Sequence, residues 1–457
     1  MLAAGLTVAA LAGPDGARTA AAAGWERCGS LECRTLRVPL DHAHPARGTL
    51  RLEIARIRAR DRGRRVGSLV LNPGGPGASG IQLLRSARDF LPDELLERFD
   101  IVSFDPRGVG SSGGLGCSVG SDRLYAIDHA SQILPPTQID RQLAQAIAPC
   151  LTRHRRTLPH LGTVNTARDL DRIRSLVGDA GLTYLGWSYG TILGAVYAEL
   201  FPKRVRALVL DGAAPAGVGW REISTRQAGA VERALRTYFA WCTRTGCRLD
   251  RPERAWRQAV ARLRREPLTL DGRRLYVGHL VSALYASLLS GEAGYSTLSR
   301  VIAGVLDGDG RWLAAVADSL GTDEETAALY AIDCADTLER PTTREVLALS
   351  DALRKRYPLV GWGLAAACPS GWPLPATQLP DVDGSGSAPI LVIGTTGDAA
   401  TPYVWARRVA RELDSGVLLT WRGATHTAFP AGSQCLDGTV VRYLVEAKAP
   451  APRTCGR

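Results

Sequence analysis

The stretch LTYLGWSYGTILGAVYAELF, residues 182–201, joins two apolar runs through a single serine between glycines. The first run, 182–187, is short and β-rich. The second repeats its apolar residues at three- and four-residue spacing, the period of a helix. The pattern G-x-S-x-G is a weak signal in a chain with 49 glycines, and it occurs twice more, at 110–114 and 116–120. Those two lie in a Gly/Ser-rich segment with no strand entering and no periodic run leaving, so they read as loop. Around Ser188 the context differs. A backbone that turns sharply from strand into helix needs neighbours without a Cβ in the way, which accounts for Gly186 and Gly190. The turn lifts the hydroxyl above the sheet edge. It also sets the next N–H at a helix N-terminus, where positive partial charge can hold an oxyanion. Ser188 is therefore a candidate nucleophile on a strand–turn–helix elbow.

Working outward, short apolar runs bounded by Gly or Pro predict strands at 34–40, 50–58, 67–72, 100–105, 182–187, 206–211, 389–394 and 417–421. Helical periodicity predicts helices at 80–90, 166–178, 189–200, 403–413 and 437–446. This alternation implies an α/β architecture, a mostly parallel central sheet with helices on both faces. It breaks at 214–385, where only helical periodicity is visible, around 223–243, 254–264, 277–290, 324–335 and 343–355. That segment reads as a helical insertion between two strands of one sheet, with DGSGS at 383–387 as the return linker. The expected division is a signal-peptide-like segment 1–24, a first core part 25–213, a helical cap 214–385 and a C-terminal core part 386–457.

Composition narrows the function classes. The formal net charge is +11, but it is almost all Arg, spread from end to end. No compact basic block interleaves with aromatics, so a nucleic-acid partner is not expected. After the N-terminus no apolar run is long enough to span a bilayer. The start, MLAAGLTVAALAGPDGARTAAAAGW, resembles the apolar and cleavage regions of a secretory signal, although it lacks the basic opening; an Ala-rich tail is the other reading. The ten cysteines are Cys28, Cys33, Cys117, Cys150, Cys242, Cys247, Cys334, Cys368, Cys435 and Cys455. None has zinc spacing, so no metal is expected, and no organic cofactor is implied. Disulfides in an exported protein are the expected use; free buried thiols are the alternative. Connectivity cannot be read from a sequence, and pairing of successive cysteines is the expectation because each pair closes a local loop.

A serine nucleophile needs a base. In strand–turn–helix enzymes of this kind the partners follow in the order Ser, Asp or Glu, then His. Of seven histidines only His279 and His426 follow Ser188. His279 sits inside the helical insertion and reads as a surface or satisfied core residue. His426 lies in GATHT, 423–427, just after the last predicted strand. Asp398, in GTTGDAATP at 394–402, ends the strand before it. The second oxyanion donor should come from the loop LNPGGPG, 71–77. The expected donors are the backbone amides of Gly75 and Tyr189.

Together, NPGGPGASG (72–80), FDPRGVGSS (104–112), NTARDLDRIRSLVG (165–178), the elbow with its flanks, AIDCAD (331–336), GDAATP (397–402) and GATHTAF (423–429) resemble the secreted bacterial tripeptidyl aminopeptidases. These belong to the prolyl-aminopeptidase-like branch of the α/β-hydrolases, and the resemblance covers nearly the whole mature chain. It implies an α/β-hydrolase core with a helical cap, an exported disulfide-bonded enzyme, and removal of tripeptides or proline-containing units from free N-termini. Carried over by motif, Ser188 is the nucleophile, His426 the general base and Asp398 its partner, with Asp105 and Arg107 structural. Two positions depart from the pattern: Trp187 stands where Tyr is usual, and a second His is missing before His426. Both leave the chemistry intact and the substrate open. An aminopeptidase also needs a cap acid for the free ammonium, and Glu222, Asp333 and Asp336 are the candidates. The competing readings are a carboxylesterase or natural-product-tailoring hydrolase on the same triad, and a non-catalytic binding protein of the same fold. The expected partner is a peptide or a small ester, and a monomer is expected.

Overall fold

The computed structural model describes residues 24–117, 121–364, 368 and 372–456. The signal-like segment and the last part of the 116–120 motif lie outside them. Twelve strands form in chain order: β1 Glu26–Cys28, β2 Leu31–Pro39, β3 Thr49–Ile57, β4 Gly67–Asn72, β5 Phe99–Phe104, β6 Leu182–Trp187, β7 Val205–Asp211, β8 Leu268–Leu270, β9 Arg273–Leu275, β10 Ile390–Thr395, β11 Gly416–Arg422 and β12 Arg453–Gly456. Ten of them make one sheet in the order β1-β2-β3-β5-β4-β6-β7-β10-β11-β12. The first three pairings, β1 to β2, β2 to β3 and β3 to β5, are antiparallel, and the rest are parallel. Every residue of β4, β5, β6 and β10 is buried, as expected for unbroken apolar runs covered on both faces.

Alternation along the strands builds two cores. Leu69, Leu71, Ile101, Leu185, Val209 and Leu391 face helices Gly80–Arg85, Asp93–Arg98 and Asp437–Glu446. Val70, Val102, Tyr184, Leu208, Leu210 and Val392 face helices Thr163–Leu176, Tyr189–Leu200 and Tyr403–Glu412. Burying one such side chain is worth about 1.5–3 kcal/mol, so the strongly apolar central strands carry much of the core.

Between β7 and β10 the chain makes helices Trp220–Thr245, Pro252–Arg265, Val277–Leu289, Glu292–Asp307, Arg311–Asp318, Asp323–Asp336 and Thr343–Arg356. The first five have a hydrophobic core of their own around Trp256, Leu284 and Val301. This mostly helical segment also contains the β8–β9 hairpin, which closes through Asp271 and Gly272. Two further helices, Ser121–Ala130 and Pro136–His154, fill the excursion between β5 and β6. Helix Ser121–Ala130 carries no clean apolar stripe, but Pro136–His154 does, through Ile139, Leu143, Ala146, Ile147 and Cys150, and it is absent from the sequence-based expectations above. Helix Asp323–Asp336 packs through Ala327, Ala328 and Ala331 into the cluster that contains Tyr189, and so lies over the elbow.

The cysteines form five disulfides, Cys28–Cys33, Cys117–Cys150, Cys242–Cys247, Cys334–Cys368 and Cys435–Cys455. Arg107 is fully buried and grips Asp169 with two bonds of 2.7 Å, while its remaining N–H groups reach the Pro39, Leu40 and His160 carbonyls. Asp105 accepts from Ser79 Oγ, Ile81 N and Ser111 N, tying the loop after β5 to the loop after β4.

Candidate active site

Ser188 stands between β6 and helix Tyr189–Leu200 at φ 55 and ψ −124. A non-glycine residue held there costs on the order of 1–3 kcal/mol, which the surroundings must supply. They do: its N–H donates to the Asp211 carbonyl at 2.9 Å, and its carbonyl accepts from Thr191 N and Oγ1 at 2.8 and 2.6 Å. The flanking glycines are required by close approach. A Cβ on Gly186 would lie 2.5 Å from the Gly190 carbonyl oxygen, and one on Gly190 would lie 2.7 Å from Asn72 Oδ1.

The loop after β4 rests directly on this elbow. A Cβ on Gly74 (φ +94) would sit 2.4 Å from the Trp187 carbonyl oxygen, 3.0 Å from Ser188 Cβ and 3.1 Å from Tyr189 N. Among the described residues the amides of Gly75 and Tyr189 donate to no protein acceptor. The unspent Tyr189 N–H follows Ser188 at the N-terminus of a twelve-residue helix, and the unspent Gly75 N–H follows Gly74, the residue seated on the elbow.

His426 and Asp398 are in direct contact, Nδ1 to the two carboxylate oxygens at 3.1 and 2.9 Å. The Asp398 side chain is fully buried. It is further held by the Ala400 and Thr401 amides at 2.7 and 2.9 Å and by Thr401 Oγ1 at 2.8 Å. Burial alone would lower the His426 pKa. The charge and hydrogen bond of Asp398, helped by the charge of Asp211, outweigh it and hold the pKa above its ordinary value. With Nδ1 on the carboxylate, Nε2 is the free basic nitrogen. Ser188 Oγ has no hydrogen bond among the described residues; such bonds commonly tighten only when substrate is present.

Asp211 at the end of β7 was not singled out from the sequence. It is fully buried, and its carboxylate accepts from the Ala428 amide at 3.0 and 2.9 Å and from the Phe429 amide at 2.7 Å. Burial pushes its carboxyl up to about 7, although these two amides and His426 pull it down. Asp211 thus ties the serine backbone, through its carbonyl, to the loop that carries the histidine, through its side chain. Trp187 adds a second tie: its indole N–H donates to the Phe429 carbonyl at 3.0 Å. No local signal distinguishes Asp211 from any strand-end aspartate.

The three acids proposed for the cap separate cleanly. Glu222 is 40 % exposed and sits between Arg226 and Arg408 at 3.7 and 3.6 Å, so its assignment to an amine is corrected: it is a surface ion-pair residue. Asp336 spends both oxygens on Thr163, accepting from its N–H at 2.7 Å and its Oγ1 at 2.5 Å; that Oγ1 in turn meets the Tyr189 hydroxyl at 2.5 Å. It is a fastener between the cap and the elbow. Asp333, one turn earlier on the same helix, has no hydrogen-bond or ion-pair partner among the described residues. Its side chain is exposed at the surface, and the protein packed around it pushes its carboxyl above the ordinary value. Its charge is felt at Tyr189 and at Tyr330, whose hydroxyl is pushed up to about 12, first by burial. His279 is fully buried and satisfied, with Nδ1 accepting from Tyr276 N and Nε2 bonded to Asp122. No group of residues able to hold a metal exists among the described residues, and none of their helices is long and apolar enough to cross a membrane.

Comparison with known proteins accords with this geometry. Residues 67–255 match the family model described as alpha/beta hydrolase fold, and residues 359–455 match that of TAP-like protein. The chain is 35% identical over 457 residues to Serine protease Hip1 of Mycobacterium tuberculosis, covering 92% of this chain and 86% of that one. It is 30% identical over 460 residues to Tripeptidyl aminopeptidase of Streptomyces coelicolor, covering 93% and 82%. It is 32% identical over 449 residues to Carboxylesterase B of Mycobacterium tuberculosis, covering 92% and 85%. An α/β sheet with a serine elbow, a buried Asp–His pair in the required chain order and relatives matched over most of their length identify the chain as a member of the tripeptidyl-aminopeptidase-like α/β-hydrolases, a serine hydrolase of the peptidase class.

Proposed function

We propose that the protein is a secreted serine exopeptidase that releases short peptides, tripeptides or proline-containing units, from free N-termini. Ser188 Oγ attacks the scissile carbonyl while His426 Nε2 takes its proton. Asp398 holds the imidazole in the required tautomer and stabilises its charged form. The Gly75 and Tyr189 amides receive the developing oxyanion, each worth roughly 3 kcal/mol. His426 then returns the proton to the leaving amine, and water hydrolyses the acyl-enzyme.

The observation that carries the exopeptidase reading is Asp333. Of the three cap acids it alone is unpartnered among the described residues, and it is exposed on the helix that packs over the elbow, where an incoming ammonium would find an acceptor and favour its ionised form. The five disulfides support an oxidising, extracellular setting. A second reading, esterase, draws on the 32% identity to a protein named Carboxylesterase B.

The test uses three chromogenic substrates: a tripeptide amide with a free N-terminus, its N-acetylated twin and a short-chain acyl ester. The free tripeptide should be cleaved and its twin spared, with that cleavage lost in Ser188→Ala. Asp333→Asn should raise KM for the free tripeptide about 10- to 100-fold and leave the ester unaffected. Efficient cleavage of the ester alone would replace the peptidase reading by the esterase one. Activity surviving in Ser188→Ala would remove the nucleophile assignment.

A further inference from the structure

We propose that the cap is part of the mounting of the catalytic base, and that Gly291 and the Leu289 carbonyl are positioning elements for His426. This rests on His426 acting as the base. The backbone N–H of His426 donates to the carbonyl of Leu289 at 2.8 Å, and Leu289 is the last residue of cap helix Val277–Leu289. The bond therefore joins the base, in the C-terminal core, to a helix end in the insertion. Two residues on, Gly291 is seated against the same loop. A Cβ built there would lie 3.2 Å from Ala424 C, Thr425 N and Thr425 Cγ2. At φ +58 the position is in the left-handed region, where glycine is at ease.

The corner that presents both groups is itself held. Gly291 N–H donates to the Leu288 carbonyl and Gly294 N–H to the Gly291 carbonyl, each at 3.0 Å, joining helix Val277–Leu289 to helix Glu292–Asp307. One turn before Leu289, Tyr285 feels the charge of Asp398, so this end of the helix faces the Asp–His pair. The histidine loop is short and bent, with Thr427 at φ +66 and Thr425 Oγ1 bonded to the Thr427 carbonyl at 2.7 Å. The core holds its far side through Asp211 and the Ala428 and Phe429 amides. His426 thus sits between one support in the core and one in the cap. A cap serving only to bind substrate has no need of the second.

The experiment compares Gly291→Ala and Gly291→Val with wild type on two substrates: a tripeptide amide with a free N-terminus, and an acetyl ester too small to depend on the cap for binding. A displaced base slows both. The expected result is a kcat loss of about 10- to 100-fold on both substrates, KM for the peptide within about twofold, and a melting temperature showing that the chain is folded. Thr425→Ser removes the Cγ2 that the new Cβ would meet and keeps the hydroxyl bonded to the Thr427 carbonyl. Added to Gly291→Ala, it should restore at least about threefold of the lost kcat. Wild-type kcat on the acetyl ester, with only peptide KM altered, would overturn the proposal, because the cap would then serve binding alone. Failure of the underlying assignment looks different: His426→Ala would retain activity, whatever Gly291 does.

Discussion

At the scale of the residue, Asp211 shows how a side chain outside the reacting set can shape the reaction. It is a second carboxylate whose charge reaches the imidazole, and it fixes two amides just beyond it. His426 must be neutral to accept the serine proton, and its pKa is held up by Asp398 first and Asp211 next. The acidic limb of kcat/KM should therefore lie above the ordinary histidine value near 6.5. The groups facing His426 are Asp398, Thr401 and Asp211, with Tyr285 behind Asp398. Asp211→Asn removes one negative charge, so that limb should move toward acid while kcat falls about tenfold from the disturbed loop. A pH–rate profile checks both; an unmoved limb with lowered kcat would reduce Asp211 to a structural anchor. Asp398→Asn, which favours the wrong tautomer, should cost on the order of 10³- to 10⁴-fold in kcat with little change in KM.

At the scale of the element, the loop after β4 and the elbow are one unit. Gly74→Ala would drive a Cβ to 2.4 Å from the Trp187 carbonyl oxygen, which must push the loop off the elbow. The Gly75 amide, the proposed oxyanion donor, would then be displaced, and with it an interaction made only in the transition state. We expect kcat to fall about 100-fold for ester and peptide alike, with KM near wild type; steady-state kinetics on both substrates decides it. Elements also differ in how legible they are. The start of helix Asp323–Asp336 is written in the chain as a Thr322–Glu325 capping box, and that of Thr343–Arg356 as a Thr342–Glu345 box. Helix Pro136–His154 has no capping box and starts on a proline, while Ser121–Ala130 is held by contacts with distant segments, the Tyr125 hydroxyl with Ser282 and Ser121 N–H with Asp323.

At the scale of the whole molecule, buried carboxyls set the pH response. Asp211 and Asp336 are each pushed from about 3.8 up to about 7, first by burial. A carboxyl whose folded pKa is raised binds its proton more tightly in the native state. Its contribution to stability is therefore full below about pH 4 and is lost as pH rises through about 7. Carboxyls held low by partners, such as Asp122 beside Arg273, act in the opposite sense and lose their contribution in stronger acid. The contribution of Asp211 and Asp336 to the melting temperature should thus fall between about pH 4 and pH 7, and Asp211→Asn should flatten the melting temperature's dependence on pH there. An unchanged dependence in Asp211→Asn would contradict the assignment. The disulfides offer an independent check. Removing Cys117–Cys150 or Cys334–Cys368, which span 33 and 34 residues, should cost about 4 kcal/mol, against about 2 kcal/mol for Cys28–Cys33, which spans 5. Denaturant melts of the paired Ser variants measure it.

What the sequence determined by itself was local or ordered along the chain. The buried strands of the sheet are unbroken apolar runs, the elbow is a serine whose glycines are demanded by close approach, and Asp398 and His426 follow Ser188 in the order the chemistry needs. Each of these signals survives without knowledge of what lies beside it in space. The tertiary structure decided everything that depends on a partner far away in the chain. It separated the acids: Glu222 meets arginines, Asp336 meets Thr163, and Asp333 meets no partner among the described residues. It brought Asp211 beneath the histidine loop and Leu289 above it. An aspartate or a carbonyl looks the same in a sequence whether it is free, paired or holding a catalytic base; only burial and the neighbouring donor give it a role.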